Sequence, residues 1–251
     1  MESVDELRRV LKIDSELEDS GMKTKFIRSV SLPKDIKLVK DFGAGKELPK
    51  PKPETLKTSL WSTIKSRRSC RVFDPEGRLD LEQLSALLYS AAGVTLRVDG
   101  VYGMLDYPFR ATPSTGGLHC IDLYVAALRV NNLSPGLYYY HYDRHELSTL
   151  CEDCYPHTLV DTIAQGQLRN APVYFILVAK LRRGIWKYGC KFYKLCLVDA
   201  GCVAEHVHLA STAMNLCSVL VAGFNVERVK EILDLEEDEI PVLIIPVGPK
   251  I

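Results

Sequence analysis

Apolar residues recur every four positions at Leu56, Leu60 and Ile64, the spacing of an amphipathic helix that runs into Arg67-Arg68. Asp80, followed three residues later by Gln83, has the form of a capping box, and Leu81, Leu84, Leu87, Leu88 and Ala91 continue it as an apolar stripe that stops at Gly93. Ile121 to Val130 is dense in β-formers and predicts a buried strand. Asn131-Asn132 then reads as a turn, and Leu137 to Tyr142 as a second strand with aromatics on both faces. Ala171 to Ala179 is almost continuously apolar, as a central strand is. Val242 to Val247 is a further strand, bracketed by Pro241 and Pro246. A long helix is predicted over Tyr193 to Leu216. Its small residues Ala200, Gly201, Ala204, Ala210 and Ala213 admit close neighbours and mark it as a core or subunit-interface element. A short helix follows over Val226 to Leu233. There is no repeat and no strict βαβ alternation, which points to the α+β class.

Residues 1–53 read as an arm and linker and residues 54–251 as the folded domain. Glu, Lys, Asp and Pro dominate the arm, with one short helix predicted near Val4 to Ile13, and Lys50-Pro51-Lys52-Pro53 is an extended linker. Gly43-Ala44-Gly45-Lys46 fails as a phosphate loop, because no glycine lies five residues before Gly45 and Glu47 replaces the hydroxyl residue. Lys+Arg and Asp+Glu are both 32, so the net charge is zero, which argues against a nucleic-acid partner. Met1-Glu2-Ser3-Val4-Asp5-Glu6 is acidic with no apolar core behind it. The least polar long segment, Leu209 to Phe224, is interrupted by Ser211, Thr212, Asn215 and Ser218. A soluble cytoplasmic protein with no membrane partner is expected.

On that expectation the eight cysteines are reduced, since intracellular disulfides are disfavoured outside hyperthermophiles. Cys196, Cys202 and Cys217 lie in apolar surroundings and read as small buried hydrophobes. Cys151 and Cys154 form a Cys-x-x-Cys pair with His157 nearby, but without a fourth ligand no metal site is expected. His206 and His208 lie too close in sequence to share a helix face, and His206 reads as a satisfied interface histidine.

Three segments carry candidate chemistry. Arg67-Arg68-Ser69-Cys70-Arg71 concentrates three guanidiniums and a hydroxyl, donors suited to a phosphate. The zero net charge makes this cluster local, so a small anion suits it better than a polyanion. The arginines would lower the pKa of Cys70, although a passive place in the loop is the simpler reading. Arg110-Ala111-Thr112-Pro113-Ser114-Thr115-Gly116-Gly117 is a loop rich in hydroxyls and glycine. Trp186-Lys187-Tyr188-Gly189 sets an ammonium beside a phenol. Taken alone, Lys187-Tyr188 also reads as an exposed turn after Arg182-Arg183-Gly184.

The ordered set Arg-Arg-Ser-x-Arg-x-Phe, Arg-x-x-Pro-Ser-x-Gly-Gly and Pro-Gly-Leu-Tyr-x-Tyr resembles the flavin-dependent nitroreductase superfamily. Trp186-Lys187-Tyr188-Gly189, Tyr193, Asp199-Ala200-Gly201, Gly223-Phe224-Asn225 and Pro246-Val247-Gly248 extend the resemblance to its SagB-type dehydrogenases, the azoline oxidases. The resemblance spans about residues 54–251, with a fainter trace at Lys23-Thr24-Lys25 in the arm. It implies an α+β flavin fold with a central, mostly antiparallel sheet flanked by helices, and a homodimer with FMN at the interface. By the same resemblance, Arg67, Arg68, Ser69 and Arg71 would hold the FMN phosphate, ribityl chain and ring edge. Pro113, Ser114, Thr115 and Gly116 would line the flavin from the partner subunit. Ala222 and Gly223 would present a backbone N–H to flavin N5, and Lys187 and Tyr188 would be the catalytic pair.

The sequence also departs from the family pattern. Cys202 stands where a His is usual, Glu205-His206 replaces Gln-Asn, and Ala222 replaces a Glu. The chain ends at Ile251 without the basic tail common in the family, a role left to Lys250. The resemblance thus implies an FMN-dependent dehydrogenase acting on an azoline-like or peptide-derived small substrate. The alternatives are an NAD(P)H-dependent nitro or quinone reductase and a non-catalytic flavin-binding partner within a larger complex.

Overall fold

A computed structural model describes residues 31–56, 58–150 and 155–251. Its strands are β1 (Lys46–Glu47), β2 (Val94–Val98), β3 (Tyr107–Arg110), β4 (Ile121–Ala127), β5 (Gly136–His141), β6 (Glu146–Thr149), β7 (Val173–Lys180), β8 (Leu216–Ser218) and β9 (Glu239–Pro249). Its α-helices are α1 (Leu60–Ser66), α2 (Leu81–Ala92), α3 (Pro156–Val160), α4 (Arg182–Tyr188), α5 (Phe192–Ala213) and α6 (Val226–Ile232). The predicted arm helix at Val4 to Ile13, the Lys23-Thr24-Lys25 trace and the Cys151/Cys154 pair lie outside the described residues.

The apolar run expected to be central becomes β7. It pairs with β4 from Ile121↔Ala179 to Ala127↔Val173, and with β9 from Val173↔Val247 to Lys180↔Glu239. The sheet has seven strands in the order β1-β6-β5-β4-β7-β9-β8, every pairing antiparallel, and β2–β3 form a separate ribbon. Side chains alternate between faces with a period of two. Leu123, Val125, Phe175 and Leu177 therefore pack with Leu84, Leu87, Leu88, Val203 and Val207 of α2 and α5. Tyr124, Ala126, Tyr174 and Ile176 pack on the other side with Leu159 of α3 and Val229 of α6. The fold is α+β, as the pattern predicts. Ile36, Leu38 and Leu48, which precede the Pro-rich linker, are also buried in the molecule.

The elements differ from their predicted forms in instructive ways. The Asp80 capping box forms, with the Asp80 N–H donating to Gln83 Oε1 at 3.0 Å, and α2 stops at Gly93. β9 runs through both prolines that were expected to bracket it. Pro241 falls at the register irregularity against Leu177/Val178, and Pro246 falls where the β8–β9 ladder lapses between Ser218 and Val221. At both places a missing N–H is tolerated. The helix expected through Leu216 ends at Ala213, and Asn215, at φ 59°, turns the chain into β8. The stripe that predicted α1 faces outward: Leu60 is 67% exposed and Ile64 51%, and Leu56 precedes the helix.

The expectation of fully reduced cysteines is overturned. Cys70 and Cys217 form a disulfide with their Cα atoms 5.1 Å apart, so Cys217 is not a simple buried hydrophobe and Cys70 is not a titrating thiol. The backbone brings them together: the Cys70 N–H donates to Ser218 O at 2.9 Å and lays the arginine loop along β8. Cys120, Cys190, Cys196 and Cys202 are free; Cys196 is buried as expected, whereas Cys202 is only half-buried, not the buried hydrophobe expected. Among the described residues, no helix is long and apolar enough to cross a membrane.

Candidate functional site

The predicted site residues fall into two clusters. The first is built where the chain leaves α1. Phe73, 2% exposed, anchors the loop through an antiparallel bridge to Lys250, and the Asp74 N–H donates to Pro249 O. This places Lys250 at the end of β9, beside the Arg67–Arg71 loop. Arg67 is half-buried, while Arg68, Ser69 and Arg71 are exposed. Arg68 is turned toward the backbone oxygens of Lys65 and Arg67. Among the described residues, no carboxylate pairs with Arg67, Arg68 or Arg71. The cluster therefore keeps its positive charge. That charge is felt at His208 on α5, whose pKa is lowered to about 4 by burial first and by Arg67 second. His208 Nδ1 meets Ser218 Oγ at 3.0 Å.

Four and five residues beyond Ser218 come Ala222 and Gly223, both exposed. Their carbonyls are used, by Phe224 N–H and Ala164 N–H respectively, but neither N–H donates to another described residue. A Cβ built on Gly223 would meet nothing within 4 Å. The surface here is open and lined with donors.

The second cluster forms where α4 meets the Ser114–Gly117 loop. Arg183, fully buried, fixes α4 to the sheet with bonds to both Asp122 oxygens at 2.6 and 2.8 Å and to His119 O at 2.5 Å. One turn later on the same face stands Lys187, 5% exposed. The exposed-turn reading of Lys187 is thus excluded, because Arg183 drives this segment inward as a helix. Burial pulls the Lys187 pKa below the usual lysine range.

Tyr188 stacks on Phe192, and its hydroxyl makes no hydrogen bond among the described residues. Gly116, at φ 62°, passes so close that a Cβ there would lie 2.5 Å from the Tyr188 hydroxyl, so only glycine fits. Asp199 on α5, 5% exposed, holds this loop. It accepts from Ser114 Oγ at 2.9 Å, Thr115 N–H at 2.8 Å, Thr115 Oγ1 at 2.9 Å and Cys120 Sγ at 3.2 Å. Burial, and then the Asp199 charge, push the Tyr188 pKa up. Pro113 is exposed at the head of the loop. Arg110, the first residue of that motif, is instead a core residue that donates to Ile121 O and lies 3.7 Å over the Tyr142 ring.

Both clusters rest on α5, one at Asp199 and the other at His208. Those residues stand about nine positions apart, roughly 14 Å along the helix axis. A groove of about 430 Å³ lies between α1 and α5, lined by Leu56, Leu60, Thr63, His206, Leu209 and Ala210 among others. His206 is satisfied there through Ser90 O.

Sequence reasoning missed two features of the site. Asp199 entered only as part of a motif, not as the anchor of the loop. Tyr102 did not enter at all. It sits at φ 52° in the turn between β2 and β3, and Lys187 Nζ donates to its hydroxyl at 3.1 Å. The alternation Val94, Leu96, Val98, followed by Asp99-Gly100, is the hairpin signal that could have located this turn.

An antiparallel sheet between helical layers, with a cationic loop at one end and a glycine loop against the tyrosine that follows a buried lysine, defines a nitroreductase-like fold. The chain belongs to the Nitroreductase family, whose sequence profile matches residues 64–249, and membership implies oxidoreductase activity. It is 30% identical over 200 residues to the nitroreductase-family protein MJ1384 of Methanocaldococcus jannaschii, covering 79% of this chain and 95% of that protein. A nitroreductase-family structure from Ralstonia eutropha JMP134 is 27% identical with a TM-score of 0.65, covering 85% of this chain and 92% of that one. A chain of the E. coli microcin synthetase McbBCD complex, solved with truncated pro-MccB17 bound, shares the fold. Its TM-score is 0.62 at 16% identity, over 97% of this chain and 94% of that one.

Proposed function

We propose that the protein is an FMN-dependent oxidoreductase that oxidises an azoline-like or peptide-derived small substrate, in the manner of the SagB-type dehydrogenases. The observation that carries this reading is the buried Lys187 beside Tyr188, whose hydroxyl lies against Gly116. The residues present suit FMN. Arg67, Arg68, Arg71 and Lys250 offer cationic groups for a phosphate that no described carboxylate neutralises, and the N–H groups of Ala222 and Gly223, which donate to no other described residue, can face a ring edge. Bound FMN supplies the hydride-accepting chemistry.

The protein's own groups do the rest. Lys187, its pKa lowered by burial, takes the proton from the substrate carbon as the amine. The Tyr188 hydroxyl orients a substrate heteroatom or passes the proton on. Asp199 keeps the Ser114–Gly116 loop where both can work.

The same reading makes the enzyme a homodimer with the flavin at the interface, Pro113–Gly116 of one protomer facing the arginine loop of its partner. The outward face at Leu60, Trp61, Ile64 and Val72, with exposures of 67%, 74%, 51% and 60%, and the groove beside it support an interface there. The reading is of a cytoplasmic enzyme. An intracellular disulfide such as Cys70–Cys217 is a known feature of hyperthermophile proteins.

An absorbance spectrum of the purified protein tests FMN directly, since a colourless polypeptide that takes up no added FMN ends this reading. Lys187→Ala in flavin-loaded protein is expected to abolish substrate oxidation, and intact oxidation would remove Lys187 from the mechanism. A second reading, an NAD(P)H-dependent nitro or quinone reductase, draws on the 30% identity to MJ1384. Rapid bleaching of the flavin by NADPH in a stopped-flow mixer would favour it, and inertness would favour the dehydrogenase.

A further inference from the structure

We infer that Tyr102 is a positioning residue for Lys187: its phenol oxygen holds the amine by accepting one N–H, and so aims the remaining valences of the nitrogen into the site. This rests on the reading of Lys187 as the base.

The argument is a count of donors and acceptors. The Tyr102 hydroxyl has one proton, and that proton is committed to Gly116 O at 2.6 Å. Toward Lys187, 3.1 Å away, the oxygen can therefore only accept. Lys187 must donate one N–H to it whether the nitrogen is charged or neutral. As a neutral amine, its lone pair then points away from Tyr102, which is the orientation a base needs. No other described group makes a hydrogen bond to this nitrogen. It lies 5.2 Å from the centre of the Tyr102 ring and 5.1 Å from that of Tyr188, so two aromatic faces confine it.

Tyr102 is itself rigidly held. It is 2% exposed, in ring contact with Tyr107 and Trp186, and its carbonyl accepts from Leu32 N–H at 3.2 Å. The other ionisable groups around Lys187 are accounted for. Tyr188 follows on the same helix, Arg183 one turn back is paired with Asp122, and Asp199 is spent on the Ser114–Thr115 loop and Cys120.

Tyr107 provides an internal control. Its hydroxyl donates to the next carbonyl, Gly117 O, also at 2.6 Å, but it makes no bond to Lys187. Tyr102→Phe and Tyr107→Phe thus each remove one phenol-to-loop bond, and only the first removes the acceptor for the lysine.

The test is an NMR titration of the Lys187 side chain in the purified full-length protein, assigned by its loss in Lys187→Arg. An acceptor favours the charged amine, so Tyr102→Phe is expected to lower the Lys187 midpoint by about half a pH unit or more, with Tyr107→Phe leaving it in place. In flavin-loaded enzyme, the acid limb of the kcat/KM profile should move down by the same amount while the plateau falls about tenfold. An unmoved midpoint in Tyr102→Phe overturns the inference, and so does an equal shift in Tyr107→Phe. Should Tyr102→Phe not fold, 3-fluorotyrosine at position 102 keeps the ring and weakens the oxygen as an acceptor. A smaller shift in the same direction is then expected, and no shift is fatal. Wild type that oxidises no azoline-like substrate would sink the functional reading but leave this titration standing. An active wild type with an unmoved midpoint would sink only the role of Tyr102.

Discussion

Removing the Cys70–Cys217 disulfide is expected to destabilise the protein substantially while leaving its fold intact. The bridge joins residues separated by 147 positions. The loop-closure entropy it removes from the unfolded chain is worth about 5 kcal/mol at 25 °C, and measured disulfides more often return about 2–4 kcal/mol. For a domain of this size each kcal/mol moves Tm by roughly 2–4 °C, so the loss should be on the order of 10 °C. Cys217 is fully buried, which makes alanine the better replacement, because a serine hydroxyl there would add its own desolvation cost. The assay compares thermal unfolding of the Cys70→Ala/Cys217→Ala protein with wild type, with and without a dithiol reductant. Reduced wild type and the double variant should melt together, below untreated wild type. The bond from Cys70 N–H to Ser218 O survives the change, so the arginine loop stays on β8 but is less well ordered; on the proposed reading of this loop as the FMN-phosphate site, FMN affinity should fall several-fold, about 1 kcal/mol. Thiol counting in denaturant without reductant supplies the refutation. Wild type and the double variant should show the same number of reactive thiols, because the two sulfurs removed were never thiols. If the variant shows two fewer, the bridge does not exist and the reasoning fails with it.

Three further outcomes follow from buried titratable groups. Asp199→Ala strands the hydroxyls and N–H of the Ser114–Thr115 loop and should cost about 2–4 kcal/mol in urea unfolding, whereas Asn, which keeps one acceptor oxygen, should cost less than half of that. Because the Asp199 charge helps to raise the Tyr188 pKa, Asp199→Asn should also lower the phenolate midpoint of Tyr188 in an absorbance titration, and an unchanged midpoint would show that the two do not interact. His208 gives a pH dependence. Its folded pKa, about 4, lies below the ordinary 6.5, so the unfolded chain binds the extra proton first. Its stability contribution is therefore complete above about pH 6.5 and declines as the pH falls toward 4, by about 2–3 kcal/mol in all. His208→Gln should flatten that part of the stability profile, and an equally steep decline in the variant would exclude His208 as its source.

What the sequence made legible was what neighbouring residues encode. The Asp80–Gln83 cap, the β7 run and the body of α5 are each written in nearby side chains, and each appears within a few residues of its expected bounds. Faces were less legible than elements. The Leu60/Ile64 spacing does predict α1, but periodicity carries no information on which side the partner lies, and here the stripe points away from the chain's own core. The short strands β1 and β8, of two and three residues, exist only because a neighbouring strand supplies their hydrogen bonds.

The candidate site divides along the same line. Its candidate binding loops are contiguous motifs that a sequence can propose residue by residue. The contacts that set its chemistry join residues far apart in the chain: Cys70 with Cys217, Asp122 with Arg183, Thr115 with Asp199, and Tyr102 with Lys187. Arg183 shows the consequence most plainly. In the sequence, Arg182-Arg183-Gly184 argues for a solvated turn, because an arginine is seldom buried without a partner. The partner is Asp122, 61 residues earlier on the central sheet. With that pair formed, α4 is drawn inward and Lys187 is carried out of water with it. A lysine with a lowered pKa at this position is thus a product of the distant ion pair as much as of the Lys-Tyr motif.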